Sequence, residues 1–128
     1  MFNTIKSSDD IKTFLNKTNS LHDGYIIGVQ YTNNGISRCE HGLYFSPENT
    51  KLNLQILVTS ICDIIVEIES EDISEWQIKD NNREITDTFV MFQEDSSIFW
   101  SDDVYISMDE AKEGSYVIAK SMKWRIAE

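Results

Sequence analysis

The chain has 128 residues with 22 acidic against 11 basic side chains, a formal charge of −11 and a pI of about 4.5. With 41% hydrophobic residues, 11% aromatics and one Pro, it has the composition of a single folded domain over 1-128, long enough to bury roughly two-thirds of its unfolded surface. The acidic balance disfavours nucleic acid, because affinity for it rests on Lys and Arg neutralising phosphates.

The opening MFNTIKSSDD holds no apolar stretch and meets acid at Asp9 and Asp10, so no secretory signal is expected and the expected compartment is the cytoplasm. Ser7 with Asp10 makes a capping-box pattern, and Ile11, Phe14 and Leu15 follow at helical spacing. This predicts a short N-terminal helix laid on one face or edge of a sheet. From Leu21 to Tyr31 the odd positions Leu21, Tyr25, Ile27, Val29 and Tyr31 are apolar, with Asp23 the exception, which predicts one half-buried strand. Asn33-Asn34-Gly35 is a hairpin signal, because Asn and Gly tolerate positive φ. A second strand over Ile36 to Phe45 is therefore expected to return antiparallel to the first, before Ser46-Pro47-Glu48-Asn49 turns the chain again.

Leu52 to Glu69 is the longest apolar run. Leu52, Leu54, Ile56 and Val58 share one face, and after an offset Cys62, Ile64, Val66 and Ile68 share another. A membrane span needs about 20 mainly apolar residues, and Asn53, Gln55, Asp63, Glu67 and Glu69 interrupt this run. Its alternation and β-branched content predict two strands that carry the core. Residues 70–84 are polar and read as an irregular connection pinned by Trp76. Ile85 to Gln93 is apolar on both parities, which predicts a central strand covered on two faces.

After a turn at Glu94-Asp95-Ser96, Ile98 to Trp100 reads as a short strand, and Ser107 with Glu110 as a single helical turn ending near Gly114. Tyr116, Ile118, Met122, Trp124 and Ile126 then alternate through the last strand. The fold class is α+β, mainly β: an antiparallel meander sheet with one N-terminal helix, the sheet either open and twisted or partly closed as a barrel or sandwich.

Few positions carry chemistry. His22-Asp23 enters the first strand, and Asp23 could orient a histidine or bind a cation. Adjacent strand residues point to opposite faces, however, so the two are not expected to share a proton or a metal. The plainer account has Asp23 fastening the turn through its backbone and His22 solvated. Asp102-Asp103 after Trp100 could hold Mg2+ or divide acid and base roles, although an acidic chain has such pairs in solvated turns.

Cys39-x-His41 gives one pair of soft ligands where zinc wants about four. Cys39 and Cys62 show no ligand spacing and read as buried, reduced thiols. No metal or cofactor is expected, and no catalytic motif of a common class occurs in the sequence. Lys120, Lys123 and Arg125 form a basic cluster on the last strand, expected to pair internally with neighbouring carboxylates, with Trp124 and Arg125 as the alternative, candidate partner-facing anchors.

LHDG entering the first strand, an aromatic strand ending WSDD and a last strand closing KWR resemble small bacterial domains, some of which are similar to immunity proteins of toxin systems. The resemblance implies a binding role and carries over no catalytic residue. The functional expectation is a non-enzymatic acidic protein that recognises another, basic protein, as an immunity or adaptor protein would. The alternative is a small-ligand or hydrolytic site at the sheet end, built from His22, Asp23, Asp102 and Asp103.

Overall fold

In a computed structural model, which describes residues 1–40, 42–45, 48–79, 84–105 and 107–127, the chain runs β1 (Asn3–Thr4), α1 (Ser8–Lys17), β2 (Gly24–Asn33), β3 (Ile36–Cys39) and β4 (Gly42–Phe45). It continues through β5 (Thr50–Val58), β6 (Ile64–Gln77), β7 (Phe89–Phe92), β8 (Ile98–Ser101), α2 (Met108–Ala111) and β9 (Tyr116–Ala127). One open antiparallel sheet has the order β2-β5-β6-β9-β8-β7, with β1 added on β9. The fold is α+β and mainly β, as the alternation predicts.

The Leu52 run builds the core. Leu52, Leu54, Ile56 and Val58 on β5 are all buried, and Leu54 and Ile56 lie opposite Ile68 and Val66 on β6. Fully burying such side chains contributes about 1.5–3 kcal/mol each. Val66 and Ile68 in turn lie opposite Ile126 and Trp124 of β9, and Trp124 meets Phe14 of α1 with ring centroids 5.4 Å apart. The helix starts at the predicted capping box: Asp10 N–H donates to Ser7 Oγ at 3.2 Å, and Ser7 N–H donates back to Asp10 Oδ2 at 3.1 Å. Ile11 and Phe14 are its buried stripe.

Five expectations change. First, β2 does not return along β3. Gly35 N–H donates to Asn33 Oδ1 at 2.8 Å and Asn34 N–H to Asn49 O at 3.0 Å, so Asn33-Asn34-Gly35 is an exit turn that releases the chain into a separate β3–β4 hairpin. The partner of β2 is β5. Second, a bulge between Ile26 and Gly28 switches the parity of β2, so its odd positions do not form one face. Ile26 and then Val29 and Tyr31 share the face of Ile56, Leu54 and Leu52.

Third, the polar stretch after Glu69 is strand: β6 runs on to Gln77, with its own bulge between Ile73 and Glu75. Asp72, at φ 56, turns its carboxylate out to accept Asn49 N–H at 2.9 Å, and Thr50 Oγ1 accepts Ile73 N–H at 2.7 Å. Fourth, β7 is a four-residue edge strand rather than the central one. Its two-sided apolar pattern arises because Val90 and Phe92 face the main core while Phe89 joins a smaller cluster with Phe99, Ala111 and Tyr116. Fifth, Cys62 is exposed, in a turn where it and Asp63 both take positive φ. Of the Cys39-x-His41 pair, His41 lies outside the described residues.

Beside an apolar row of Tyr25, Leu57, Ile65 and Ala127, the other face of the sheet is polar. Three rows cross it: Gly28, Gln55, Glu67 and Arg125; Gln30, Asn53, Glu69 and Lys123; Thr32, Lys51, Glu71 and Ser121. Arg125 Nε donates to Glu67 Oε2 at 2.9 Å, and Lys123 Nζ lies 3.1 Å from Glu69 and 3.5 Å from Glu71. Both cations stand over the Phe2 ring, at 4.9 Å for Lys123 and 4.4 Å for Arg125. The basic cluster of the last strand is thus used largely within the sheet.

Candidate protein-binding surface

Among the described residues, Met1, Met91, Val104 and Ile126 are exposed singly, while the other large exposed apolar residues gather in one part of the chain. On β2, Ile27 is 52% exposed and Val29 and Tyr31 are exposed as well. On the β3–β4 hairpin Ile36, Leu43, Tyr44 and Phe45 are exposed, the last at 65%. A monomer exposes single apolar side chains freely, but an accumulation of this kind marks an interaction site or an aggregation hazard. Tyr31 stacks on Trp76 with centroids 5.1 Å apart, which pins this margin of the sheet without covering it. Residues 24–45 contain one Arg, Arg38, and one Glu, Glu40, so the stretch carries no net formal charge in a chain of −11.

The geometry of β2 explains the exposure. It is an edge strand, and the bulge at Ile26/Gly28 ejects Ile27. Beyond the bulge Val29 and Tyr31 extend the core face past Leu54 and Leu52, which are themselves fully covered. On its outer side β2 meets only Ile85, at Gly24, among the described residues. The alternation of Ile27, Val29 and Tyr31 reads in sequence as a buried face, and the bulge that contradicts it carries no clear residue signal. Leu43-Tyr44-Phe45 is the clue that was available, because a strand buried on one face hides only alternate positions.

His22 and Asp23 come together, contrary to expectation. They precede β2, and Asp23 has φ 58, so strand alternation does not apply. His22 Nδ1 lies 2.7 Å from Thr86 O, and its Nε2 lies 3.6 Å from Asp23 Oδ1. The Thr86 carbonyl first and the Asp23 carboxylate second hold the imidazole above its usual pKa. Asp23 also fastens the local backbone: its N–H donates to Ile85 O and its carbonyl accepts Thr59 N–H and Oγ1–H. Glu84 joins this cluster. Hydrogen bonding and charge from Asp23 raise its carboxyl above the usual range, and Tyr25 Oη donates to it at 3.5 Å.

Asp102 and Asp103 sit elsewhere, at the end of β8. Asp102 is buried and accepts Tyr105 Oη–H at 2.8 Å, while Asp103 Oδ1 accepts Val104 N–H at 2.7 Å. The bonds of this pair run to Tyr105, Val104 and Ser115, those of His22 and Asp23 to Thr86, Ile85 and Thr59. Beside Asp102 lies a cavity of about 240 Å³ lined by Phe89, Met91, Phe99, Ser101, Tyr105, Ser107 and Ala111. Near it Tyr116 donates to Glu75; burial first, then Glu75, pushes the phenol up to about 12, and the same bond holds Glu75 below its usual range.

Of the two anchors expected on the last strand, Trp124 is 3% exposed and packs on Phe14, so it serves the core. Arg125 faces the open side but is engaged with Glu67 and Phe2. Among the described residues no three His, Cys, Asp or Glu side chains group as metal ligands, and no helix is long and apolar enough to cross a membrane. Family models, curated proteins and solved structures contain no match to this chain.

Proposed function

We propose that the chain is a non-enzymatic protein-binding module that takes a basic protein partner, as an immunity or adaptor protein does. The observation that carries this reading is the exposed apolar side chains of β2 and the β3–β4 hairpin, in a stretch with no net formal charge, set in an otherwise acidic molecule. Apolar and aromatic side chains supply the binding energy at the centre of interfaces. The −11 charge gives long-range attraction to a cationic protein and so a faster encounter.

The test compares capture of cellular proteins by the wild type and by a Leu43→Ser, Tyr44→Ser, Phe45→Ser variant. These three side chains are exposed, so the variant keeps its fold. A partner retained by the wild type, weakened by salt and lost from the variant is the expected result. Equal retention by both proteins sinks the reading.

A second reading, a small-ligand site, is favoured by the cavity beside Asp102. Three aromatic rings, Met91 and Ala111 give it an apolar wall, and small-molecule sites are commonly of that character. Thermal shift against a library of small aromatic compounds tests it, with Ala111→Phe as the control that fills the space.

A further inference from the structure

The cavity beside Asp102 lies on the outer side of β8. Ile98 and Trp100 belong to the main core, so Phe99 and Ser101, which alternate with them, face the other way. Phe89 and Met91 of β7 stand opposite Ser101 and Phe99, and Tyr105, Ser107 and Ala111 close the space from the side of α2. Its mouth is set by Met91 and Ser107, which are exposed.

The walls decide what such a space can hold. Phe89, Phe99 and Tyr105 contribute rings, the first two tilted by 61° with centroids 6.4 Å apart, and the Tyr116 ring stacks on Phe99 at 6.3 Å. Both tyrosines of this cluster donate to carboxylates, Tyr105 to Asp102 at 2.8 Å and Tyr116 to Glu75. A phenol that gives its proton to a carboxylate is polarised towards a more negative ring, and a negative ring face attracts cations. Asp102 is only 6% exposed, so solvent screens its charge weakly.

The surroundings have the same sign. From Asp102 to Gly114 the chain holds five acidic residues against one Lys, a formal charge of −4, and that Lys112 lies 3.2 Å from Glu75. No described residue of the lining is basic. An anion is therefore repelled, and a neutral aromatic gains nothing from the charge around it.

We infer that this cavity takes a small organic cation, an alkylated ammonium group on a short chain, held by cation–π attraction to its rings. This rests on the small-ligand reading above and names the class of ligand. Alkyl groups on the nitrogen fill apolar walls while the charge meets ring faces and Asp102. An apolar cavity of about 150 Å³ holds benzene, so about 240 Å³ has room for a trimethylammonium head with a short tail. Calcium and magnesium fit poorly, because they want several oxygen ligands and these walls are mostly carbon.

The probes are choline and its uncharged carbon analogue 3,3-dimethylbutan-1-ol, titrated against the whole chain by NMR at an ionic strength held constant with NaCl. Choline is expected to bind at least about tenfold more tightly, to shift the Met91 methyl signal, and to have its own methyl protons moved upfield by the rings. Phe89→Leu keeps apolar volume without the ring and removes the preference for choline. Asp102→Asn still accepts from Tyr105, and it weakens choline without weakening the alcohol. Thermal melts establish that each variant folds; should Asp102→Asn unfold, the two probes on the wild type and on Phe89→Leu still decide.

Equal affinity for the two probes overturns the cation and leaves the cavity as a site for neutral ligands. Binding of neither overturns the inference, and the aromatic library then decides separately whether the cavity is a ligand site. Choline that leaves the Met91 signal unmoved, or that binds Phe89→Leu as tightly as the wild type, sits on the acidic surface and overturns the inference as well.

Discussion

A methyl group at Gly114 would meet Tyr105 Oη and come within 2.8 Å of Asp102 Oδ1, the two atoms that share a 2.8 Å hydrogen bond. The position therefore tolerates no Cβ while that bond stands. Gly114→Ala is expected to cost about 1–3 kcal/mol through overpacking and displacement of a buried polar pair, read as a lowered denaturation midpoint at unchanged slope. An unchanged midpoint would show that α2 and its flanks give way freely.

At the other end of the sheet the informative residue is His22. Its folded pKa lies above the ordinary 6.5, so its contribution is complete below pH 6.5 and is lost as pH rises through the raised value. Glu84 is likewise raised above 4.5, so its contribution is complete below that pH and fades as pH climbs. Both groups make the cluster of His22, Asp23 and Glu84 firmer in mild acid than in base. The melting difference between wild type and His22→Gln is expected to be larger at about pH 6 than at about pH 9. A difference that grows with pH would mean that the imidazole is held neutral.

Among the elements, β6 is the one whose loss the fold cannot absorb, because it lies between β5 and β9 and buries Val66 completely. Val66→Asp sets a carboxylate in that core, a cost of several kcal/mol against a total stability of about 5–15 kcal/mol. It is expected to unfold the domain, seen as loss of near-ultraviolet dichroism. Melting within a few degrees of wild type would assign Val66 to the wrong face.

This strand also shows what the sequence makes legible. Its first half alternates and was readable, as were β5, the capping box of α1 and the presence of β9. The face expected on β9 is split, however: Val117, Ala119, Met122 and Trp124 join the main core, Tyr116 and Ile118 the smaller cluster, and Ile126 is exposed. The second half of β6, from Ser70, is rich in polar residues because it passes beyond the end of β5 and bulges after Ile73, and a bulge breaks the period that betrays a strand. The same device hid the candidate surface: Ile27, Val29 and Tyr31 have the spacing of a buried face, and an edge position plus one extra residue exposes them. Which strand β2 pairs with is a long-range matter that Asn33-Asn34-Gly35 could not encode. The turn signal was real, but its Asn33 side chain served an exit rather than a hairpin.

At the scale of the whole molecule the −11 charge acts on stability as well as on encounter. Self-repulsion opposes the compact state, and salt screens it over about 10 Å at 0.1 M. Several paired acids already have cations: Glu67 has Arg125, Glu69 and Glu71 share Lys123, and Glu75 has Lys112. Much of the remaining negative charge faces solvent, where any counter-ion serves.

Added Ca2+ or Mg2+ should therefore raise the melting temperature slightly and alike, and no more than NaCl does at matched ionic strength. A built site behaves differently, since it needs several oxygen ligands in set geometry, and binding at 100 times its dissociation constant would add about 2.7 kcal/mol. Melts with each cation, with NaCl and with EDTA separate the two outcomes. Strong stabilisation by one ion alone, abolished by Asp102→Asn, would place a cation beside the cavity at Tyr105 and Ser101 and bring the small-ligand reading ahead of the protein-binding one.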